Sequence, residues 1–422
     1  MKPLFYPATS GDFFLAALER FMRSSKQGEH FGATVLRLKS RPDMAALRSA
    51  WERIFELHPV IGGQLQRRWR GWQLGWRVTQ PLPAPPLVMH EGTTLSDAVI
   101  LERLGGKVPA TPLSLEVFLP PDQTCQILIS WKHGIIDGMG LAQLLEQLGG
   151  QTALVAAPPA KAPPRPSFSK IAKGAKPAIK VLRQMTCVGS RSAWHRGEPL
   201  PGDRGFQVIE LDAAQSAAAF AVQRRYGGEF FHMPFYAAIT ARALRLVHEM
   251  RSLPQGYCHL EVPYQVGRRP PGAVFQNQMA TLLLPLLESE MPTRDAAVAH
   301  VLAVYKAAMK GGQPQATAAL MALVMNMPAG LFIPFIRFQN VGEICGLFHS
   351  HTGTFLPGGS TFAGSEVDNV FNIPSVCTPP GLGIFFSDFA GRITLTLAWR
   401  GDSLQADELA AVSRQIVEDL TQ

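Results

Sequence analysis

The stretch "CQILISWKHGIIDGMGLAQLL", residues 125–145, decides the fold of this chain. Its first residues alternate between apolar and polar, which predicts a β-strand, and the leucines at its end recur at helical spacing, which predicts an α-helix. His133 and Asp137 fall in the turn between them, together with glycines at 134, 138 and 140. A histidine at the end of a strand, beside glycines that leave the backbone open to a ligand, indicates a functional site.

The same residues also have a purely structural interpretation. In it, His133 is a core histidine that donates to a backbone carbonyl, and Asp137 caps the N-terminus of the following helix. An isolated histidine and aspartate at this spacing would favour that interpretation. The strand end and the three glycines favour the functional one.

The composition is that of a folded protein with a large core. The chain has 422 residues, of which 46% are hydrophobic and 17% charged, enough for one large or two medium domains. The start, "MKPLFYPATSGDFF", lacks the features of a secretory signal, so we expect a cytoplasmic protein. The five cysteines form no CxxC pair, which predicts reduced, mostly buried thiols.

The net charge of +8 is concentrated in one segment. Residues 161–196 hold nine Lys or Arg and no Asp or Glu, and they begin with prolines, which predicts an interdomain linker. This segment is either a merely solvated linker or the place where the protein meets an anion, such as a nucleotide phosphate, an acidic carrier protein or a lipid surface. Nucleic acid is not expected, because basic and stacking aromatic residues do not recur together.

A second unusual segment, residues 316–336, carries no charge and has the length of a membrane span. Pro328 and Pro334 interrupt it, so we expect a buried helix and loop instead. This segment and the basic linker together raise a further hypothesis, a surface that makes peripheral contact with a membrane.

The motif "SWKHGIIDGMG" resembles the HHxxxDG signature of nonribosomal peptide synthetase condensation domains. The same signature marks a wider acyltransferase superfamily that includes chloramphenicol acetyltransferase, wax ester synthase/diacylglycerol acyltransferases and the BAHD enzymes. Four more stretches are similar to family segments and follow in the family's order along nearly the whole chain: "DMAALRSAWERIFELHPVIGGQL", "VPYQVGRRPPGAVFQNQMATLLLPL", "FHSHTGTFLP" and "GIFFSDFAGRITLTL".

The resemblance implies an α/β fold, in detail an α+β two-layer sandwich, with two chloramphenicol acetyltransferase-like subdomains in a V-shaped pseudo-dimer. We place the N-terminal subdomain with the HxxxDG motif at residues 1–155, the Pro-rich basic linker or crossover at 156–204, and the C-terminal subdomain at 205–422. The active histidine would lie at the junction, in a tunnel that admits one substrate from each face.

The resemblance also implies the roles of the motif residues. His133 would be the general base that activates an acceptor against a thioester, with no covalent intermediate. Asp137 and Gly138 match the rest of the motif, and in the family the aspartate pairs with an arginine that shapes the turn. The best match for this partner is Arg268, with Arg269 as the fallback. No permanently bound cofactor is implied, only acyl-coenzyme A or a phosphopantetheine-linked acyl donor.

Two positions depart from the family pattern. Lys132 replaces the first histidine of the motif, at a position that we interpret as structural or close to the substrate. His351, after Ser350, replaces the asparagine of a Ser-Asn-x-Gly segment whose glycine corresponds to Gly353. These residues are candidates for the substrate tunnel. His349 and His351 have the HxH spacing of a metal site, but strand alternation explains that spacing and no third ligand is in sight, so we expect no metal.

Two functions remain from the sequence. The first is an acyltransferase that moves an acyl group from acyl-coenzyme A or an acyl carrier protein to a small acceptor, an alcohol rather than an amine. The alternative is a non-catalytic, condensation-like module that binds a carrier protein or a partner enzyme. Retention of His133 and Asp137 favours catalysis, since a binding module has no chemical need for the base.

Overall fold

The computed structural model describes residues 3–67, 73–105, 111–157, 168–187, 203–227, 232–265, 269–270, 272–339 and 342–422. Its helices are α1 (Ser10–Ser24), α2 (Met44–Leu57), α3 (Asp97–Leu104), α4 (Gly138–Leu148), α5 (Phe168–Cys187), α6 (Ala213–Arg225), α7 (His232–Met250), α8 (Arg294–Lys310), α9 (Gln313–Val324), α10 (Ala329–Gln339) and α11 (Ala406–Thr421).

The strands are β1 (Leu4–Pro7), β2 (Phe31–Leu38), β3 (Gln64–Arg67), β4 (Leu74–Val78), β5 (Val88–Glu91), β6 (Leu113–Leu119), β7 (Cys125–Lys132), β8 (Arg204–Glu210), β9 (Tyr257–Gln265), β10 (Met279–Leu287), β11 (Leu347–Thr354), β12 (Thr361–Phe362), β13 (Ser365–Ile373), β14 (Leu382–Phe389) and β15 (Arg392–Arg400). They form a small sheet, β1-β4-β3, and two six-stranded sheets.

The first six-stranded sheet has the order β12-β13-β2-β7-β6-β5. The strand predicted from the opening stretch is β7, which lies inside this sheet and pairs antiparallel with β2 and β6. The helix predicted after it is α4, whose leucines are buried against the sheet. The end of β7 is therefore fixed on both sides before the chain turns into α4.

The second six-stranded sheet has the order β10-β9-β11-β14-β15-β8. Strand β11 runs parallel to both β9 and β14, while the remaining pairs are antiparallel. The predicted terminal hairpin is confirmed as β14 and β15, which pair antiparallel up to Phe389 and Arg392. Helices α6, α7, α8 and α11 supply the apolar core that covers one face of this sheet.

The first sheet is not built from the first half of the chain alone. Strand β13 comes from the second half of the chain but pairs antiparallel with β2 in the first sheet. The domain limits 1–155, 156–204 and 205–422 stay a prediction. Strand β13 lies in the third of these ranges, but it belongs to the same sheet as strands of the first range.

The basic segment contains a helix that its prolines and charges did not predict. Helix α5 packs on α9, and a Cβ atom at Gly174 would lie 3.3 Å from the Cβ of Ala319. Ala175 and Ala178 are fully buried in the same contact region, whereas Lys173 and Lys176 are exposed. Small residues on one face of α5 thus allow the close approach, and the lysines remain in solvent.

The prediction of a buried helix and loop for residues 316–336 is only partly correct, because the segment spans two helices and Pro334 lies inside the second. Helix α9 ends at Val324, and α10 begins beyond Pro328. Burial is only partial, however, because α10 exposes Leu331, Phe335 and Phe338 by 60%, 41% and 80%. Among the described helices, none combines the length and apolar character needed to cross a bilayer.

The cysteines agree with the prediction of reduced thiols where their side chains are described: Cys125, Cys258, Cys345 and Cys377 are free and buried.

Candidate active site

His133 is oriented by its own turn. Its backbone N–H donates to the carbonyl of His30 (3.0 Å), and its Nδ1 lies 3.1 Å from the carbonyl of Ile136. Since a carbonyl can only accept, Nδ1 carries the proton and Nε2 keeps its lone pair. The structural interpretation of His133 predicted a hydrogen bond to a backbone carbonyl. This same bond leaves Nε2 of His133 able to act as a base.

The surroundings of the His133 ring keep it neutral. The ring packs edge-on against Trp131 and at a tilt against His30, with centroid distances of 5.2 and 4.9 Å. Burial lowers the pKa of His133 below its usual value of 6.5, with a smaller opposing effect from its backbone contacts and the Asp137 charge. A neutral imidazole at physiological pH is able to accept a proton.

Asp137 is fully occupied by protein contacts. It is the N-cap of α4, where Oδ1 accepts the Gly140 N–H at 2.8 Å, and Oδ2 accepts the N–H of Gln278 at 2.9 Å. Its carboxylate also contacts the buried guanidinium of Arg269. Arg268, our first choice from the sequence, lies outside the described residues, and the fallback Arg269 is the partner that the structure places there.

Arg269 extends this network into the loop before β10. Its Nη1 donates to the carbonyls of Ala273 (2.7 Å) and Gln276 (2.9 Å). Asp137 therefore holds the turn after β7 against that loop. At Gly140 the contact is so close that a Cβ atom would lie 2.2 Å from the carbonyl of Val274, so only glycine fits.

Asn277 is a second link that the sequence alone does not predict. Its side-chain amide donates to Asp12 (2.8 Å) and to the carbonyl of Gly134 (2.9 Å), inside the turn that carries His133. Asp12 is fully buried and belongs to the capping box of α1 with Thr9. The sequence signal that could have drawn attention to Asp12 is this capping box, a threonine followed three residues later by an acid.

His133 lines a cavity of about 320 Å³ between the two large sheets. The first sheet and its turn contribute Trp131, His133, Asp137 and Gly138, and the second sheet contributes residues of β9, β10 and β11. Gly138 lies close to the second sheet, since a Cβ atom there would be 3.1 Å from the Cγ2 of Thr352. The cavity is thus a space that both halves of the chain enclose around the imidazole.

The candidate tunnel residues occupy different places. Ser350 and His351 line the cavity, whereas Lys132 and Gly353 do not. The ammonium of Lys132 lies 2.8 Å from Glu19 and 3.5 Å from Glu29, an ion-pair cluster beside the site. Gly353 has φ of +84°, which favours glycine in the bend near the end of β11.

The two histidines of the HxH spacing bind protein groups. The Nδ1 of His349 lies 2.9 Å from the hydroxyl of Thr240, and burial lowers the pKa of His349 to about 3. The Nε2 of His351 lies 3.1 Å from Asp388, and its ring packs on Tyr236. No cluster of three His, Cys, Asp or Glu with metal-binding geometry occurs within the described part of the chain.

Glu261 is a polar residue of the cavity wall that our sequence analysis missed. It is the only charged residue in β9, "YCHLEVPYQ", and that is the signal that could have revealed it. A single acid inside an otherwise apolar strand belongs to no motif, so its position became informative only when β9 was seen to line the cavity.

No protein-family model and no curated protein matches the sequence. Solved structures match over its whole length. The trichothecene 15-O-acetyltransferase TRI3 from Fusarium sporotrichioides is 12% identical, with 100% of this chain and 95% of that one covered and a TM-score of 0.72. Polyketide synthase associated protein 5 from Mycobacterium tuberculosis is 16% identical, with coverages of 99% and 98% and a TM-score of 0.62.

The starter condensation domain of rhizomide synthetase, in complex with C8-CoA and Leu-SNAC, is 13% identical, with coverages of 99% and 94% and a TM-score of 0.64. These likenesses confirm the predicted fold class: the chain has the condensation-domain-like, two-subdomain α/β fold that these proteins share.

Proposed function

We propose that this protein is an acyltransferase that moves an acyl group from a thioester to an alcohol, with His133 as the general base. The observation that carries the proposal is the bond from Nδ1 of His133 to the carbonyl of Ile136, which leaves a basic Nε2 on a cavity enclosed by both sheets. The shared fold with an O-acetyltransferase and with condensation domains supports acyl transfer as the reaction class.

The proposed reaction needs one proton carrier and no covalent enzyme intermediate. Nε2 of His133 takes the proton of the acceptor hydroxyl while its oxygen bonds to the thioester carbonyl carbon. The tetrahedral intermediate then collapses, the carbon–sulfur bond breaks, and the imidazolium returns the proton to the leaving thiolate. Asp137, whose oxygens are all bound within the protein, would hold the turn in place and take no part in the proton transfer.

The donor would be acyl-coenzyme A or an acyl group on the phosphopantetheine of a carrier protein, with no permanently bound cofactor. Support for such donors comes from the rhizomide synthetase domain, which was solved with C8-CoA. Since these donors are cytoplasmic, we place the protein in the cytoplasm. An alcohol acceptor is favoured over an amine because an alcohol enters a largely apolar cavity without a charge.

The experiment is acceptor-dependent thiol release from acyl-coenzyme A donors, from acetyl to palmitoyl, and from a carrier-bound donor, with pooled alcohols and amines. Wild type is compared with His133→Ala and with the control His90→Ala, on edge strand β5 and outside the cavity. The acyltransferase activity is supported if thiol release requires the acceptor, disappears in His133→Ala and persists in His90→Ala.

No release from any pairing would instead favour the alternative, a non-catalytic module for a carrier protein or partner enzyme. The geometry supports that alternative less well, because no described residue hydrogen-bonds to Nε2 of His133. Nε2 is therefore free to accept a proton from a molecule in the cavity.

We also propose a peripheral contact with an anionic membrane surface through α5 and α10. The exposed apolar residues Leu331, Phe335 and Phe338 recur at helical spacing on α10. Exposed lysines recur likewise on the neighbouring helix α5, at positions 173, 176 and 180. Apolar side chains beside cations match the chemistry of an anionic bilayer interface.

Sedimentation with vesicles tests the membrane contact. Wild type should sediment with phosphatidylcholine vesicles that contain phosphatidylserine, less so at high salt, and Phe338→Ser or Lys176→Glu should weaken that binding. Binding that is absent, or equal for neutral and anionic vesicles, would overturn this proposal without affecting the proposed reaction.

A further inference from the structure

Glu261 projects from β9 into the cavity. Its strand neighbours Leu260 and Val262 belong to the buried core between the second sheet and its helices. Because side chains alternate along a strand, Glu261 faces the other way, and it lines the cavity that also contains His133. Across the sheet its partners are Leu283 of β10 and Phe348 of β11, both apolar.

The carboxyl of Glu261 has no hydrogen bond or ion pair with any residue in the described part of the chain. Burial alone raises its pKa to about 7, so no nearby cation offsets the desolvation. His259, two residues earlier on the same face, provides none, because burial lowers its pKa to about 4 and keeps it neutral.

Glu261 is half-buried, and its carboxyl is accessible from the cavity that it lines. Asp137, which lines the same cavity, accepts hydrogen bonds with both carboxylate oxygens. Unlike Asp137, Glu261 thus offers its carboxyl to a molecule in the cavity.

We propose that Glu261 binds a second polar group of the acceptor, a hydroxyl or amine that donates to its carboxyl, and so selects acceptors that are polar at two positions. This inference rests on the proposed function. A plain acyl chain has no hydrogen-bond donor to offer, whereas an acceptor with a second hydroxyl or amine does. His133 would then activate one hydroxyl while Glu261 holds the other group.

The test measures acceptor binding without any acyl donor, by isothermal titration calorimetry with the full chain. The probes are 1-alkanols, α,ω-alkanediols and ω-amino-1-alkanols of matched length, over a series of lengths. Wild type is compared with Glu261→Leu and Glu261→Gln, and with the control Met279→Leu, which alters the same cavity wall without changing its polarity.

Wild type should bind the diol or the amino alcohol roughly three- to tenfold more tightly than the matched 1-alkanol, as one added hydrogen bond allows. Glu261→Leu should abolish this preference and leave 1-alkanol binding intact, while Met279→Leu should retain it. Glu261→Gln distinguishes the two groups, because an amide still bonds to a hydroxyl but no longer attracts an ammonium.

The inference is overturned if wild type shows no preference, if it binds none of the probes, or if the preference survives in Glu261→Leu. None of these outcomes contradicts the proposed reaction, since thiol release that depends on His133 is measured separately. Loss of that release with intact diol selectivity would reject the reaction and keep the binding site.

Discussion

The two walls of the cavity treat their polar groups in opposite ways. On the first sheet, the polar side-chain atoms of His133 and Asp137 are bonded within the protein, with the exception of Nε2 of His133. Asp137 contacts Gly140, Gln278 and Arg269, and Nδ1 of His133 contacts the carbonyl of Ile136. On the second sheet, the half-buried Glu261 faces the cavity with no hydrogen-bond partner among the described residues. The first wall keeps the base in place, and the second offers a carboxyl to a hydrogen-bond donor of a bound molecule.

The difference suggests that reactivity and selectivity are divided between the walls. A base needs a fixed tautomer and position, which the bonded turn provides. A recognition group must be unsatisfied until the ligand arrives, which costs stability. Changes on the first wall should therefore affect rate and folding, and changes at Glu261 should affect substrate choice.

The largest expected effect is on the rate, at His133. His133→Ala should lower kcat/KM by roughly 10²–10⁴-fold, the usual range for a general base. Its unfolding midpoint should change little in comparison, because the side chain makes a single hydrogen bond within the described structure. Steady-state thiol release and thermal unfolding of the same samples measure both. A variant that unfolds but keeps its specific activity would show that the histidine is structural.

The next effect is on stability, at Asp137. Asp137→Ala should lower the free energy of unfolding by about 3–5 kcal/mol, because it leaves the buried guanidinium of Arg269 without its counter-charge. Urea unfolding measures the loss. The double variant Asp137→Ala/Arg269→Met is the control, and it should recover part of the loss. If the single variant is as stable as wild type, the contacts of Asp137 do not stabilise the first wall, and the contrast with Glu261 fails.

At Glu261 the sign should reverse. Glu261→Leu should raise the free energy of unfolding at neutral pH by about 1–3 kcal/mol, because it removes a carboxyl whose charged form burial disfavours. The raised pKa, about 7, means that the folded protein binds the Glu261 proton more tightly than the unfolded chain. The gain from the variant should thus grow as pH rises from about 4.5 to about 7. A destabilised variant would mean that Glu261 has a partner within the protein.

The smallest expected effect is a shift in the pH profile. Burial lowers the pKa of His133 below its ordinary value of 6.5. His133 is therefore still neutral at pH 6.5, and it becomes protonated only at lower pH. The acidic limb of kcat/KM should therefore lie below pH 6.5. Circular dichroism at each pH is the control, because His259 and His349 have pKa values lowered to about 4 and about 3, and stability should fall as pH drops toward those values. An acidic limb above 6.5 would contradict the burial of the base.

Sequence reasoning predicted what depends on neighbours along the chain. The β7 strand, the α4 helix and the β14–β15 hairpin each carry their own periodicity and turn signals. The partner of Asp137 was narrowed to two adjacent arginines, because only tertiary packing decides which of them turns inward. Helix α5 was missed because its prolines and lysines are typical of a linker, and its buried alanines mean little until α9 is beside them.

The wall that carries Glu261 could not be predicted in the same way. Its side chains come from β9 and β10 and from β11, and β11 follows the other two strands only after helices α8, α9 and α10. No local pattern says which face of such a strand borders a cavity. An unpaired acid is also the opposite of what a rule about buried polar groups would predict, so it was visible only after the cavity was known.

The pairing of β13 with β2 has a consequence for synthesis on the ribosome. Lys39, just after β2, contacts Glu366 of β13, a sequence separation of 327 residues. At translation rates of roughly 5–20 residues per second, an apolar edge of β2 waits on the order of tens of seconds for its partner. A nascent chain with an open, apolar strand edge is prone to pair with other chains. The nascent protein should therefore depend on holdase chaperones until β13 has emerged, and the yield of folded protein should fall when they are depleted.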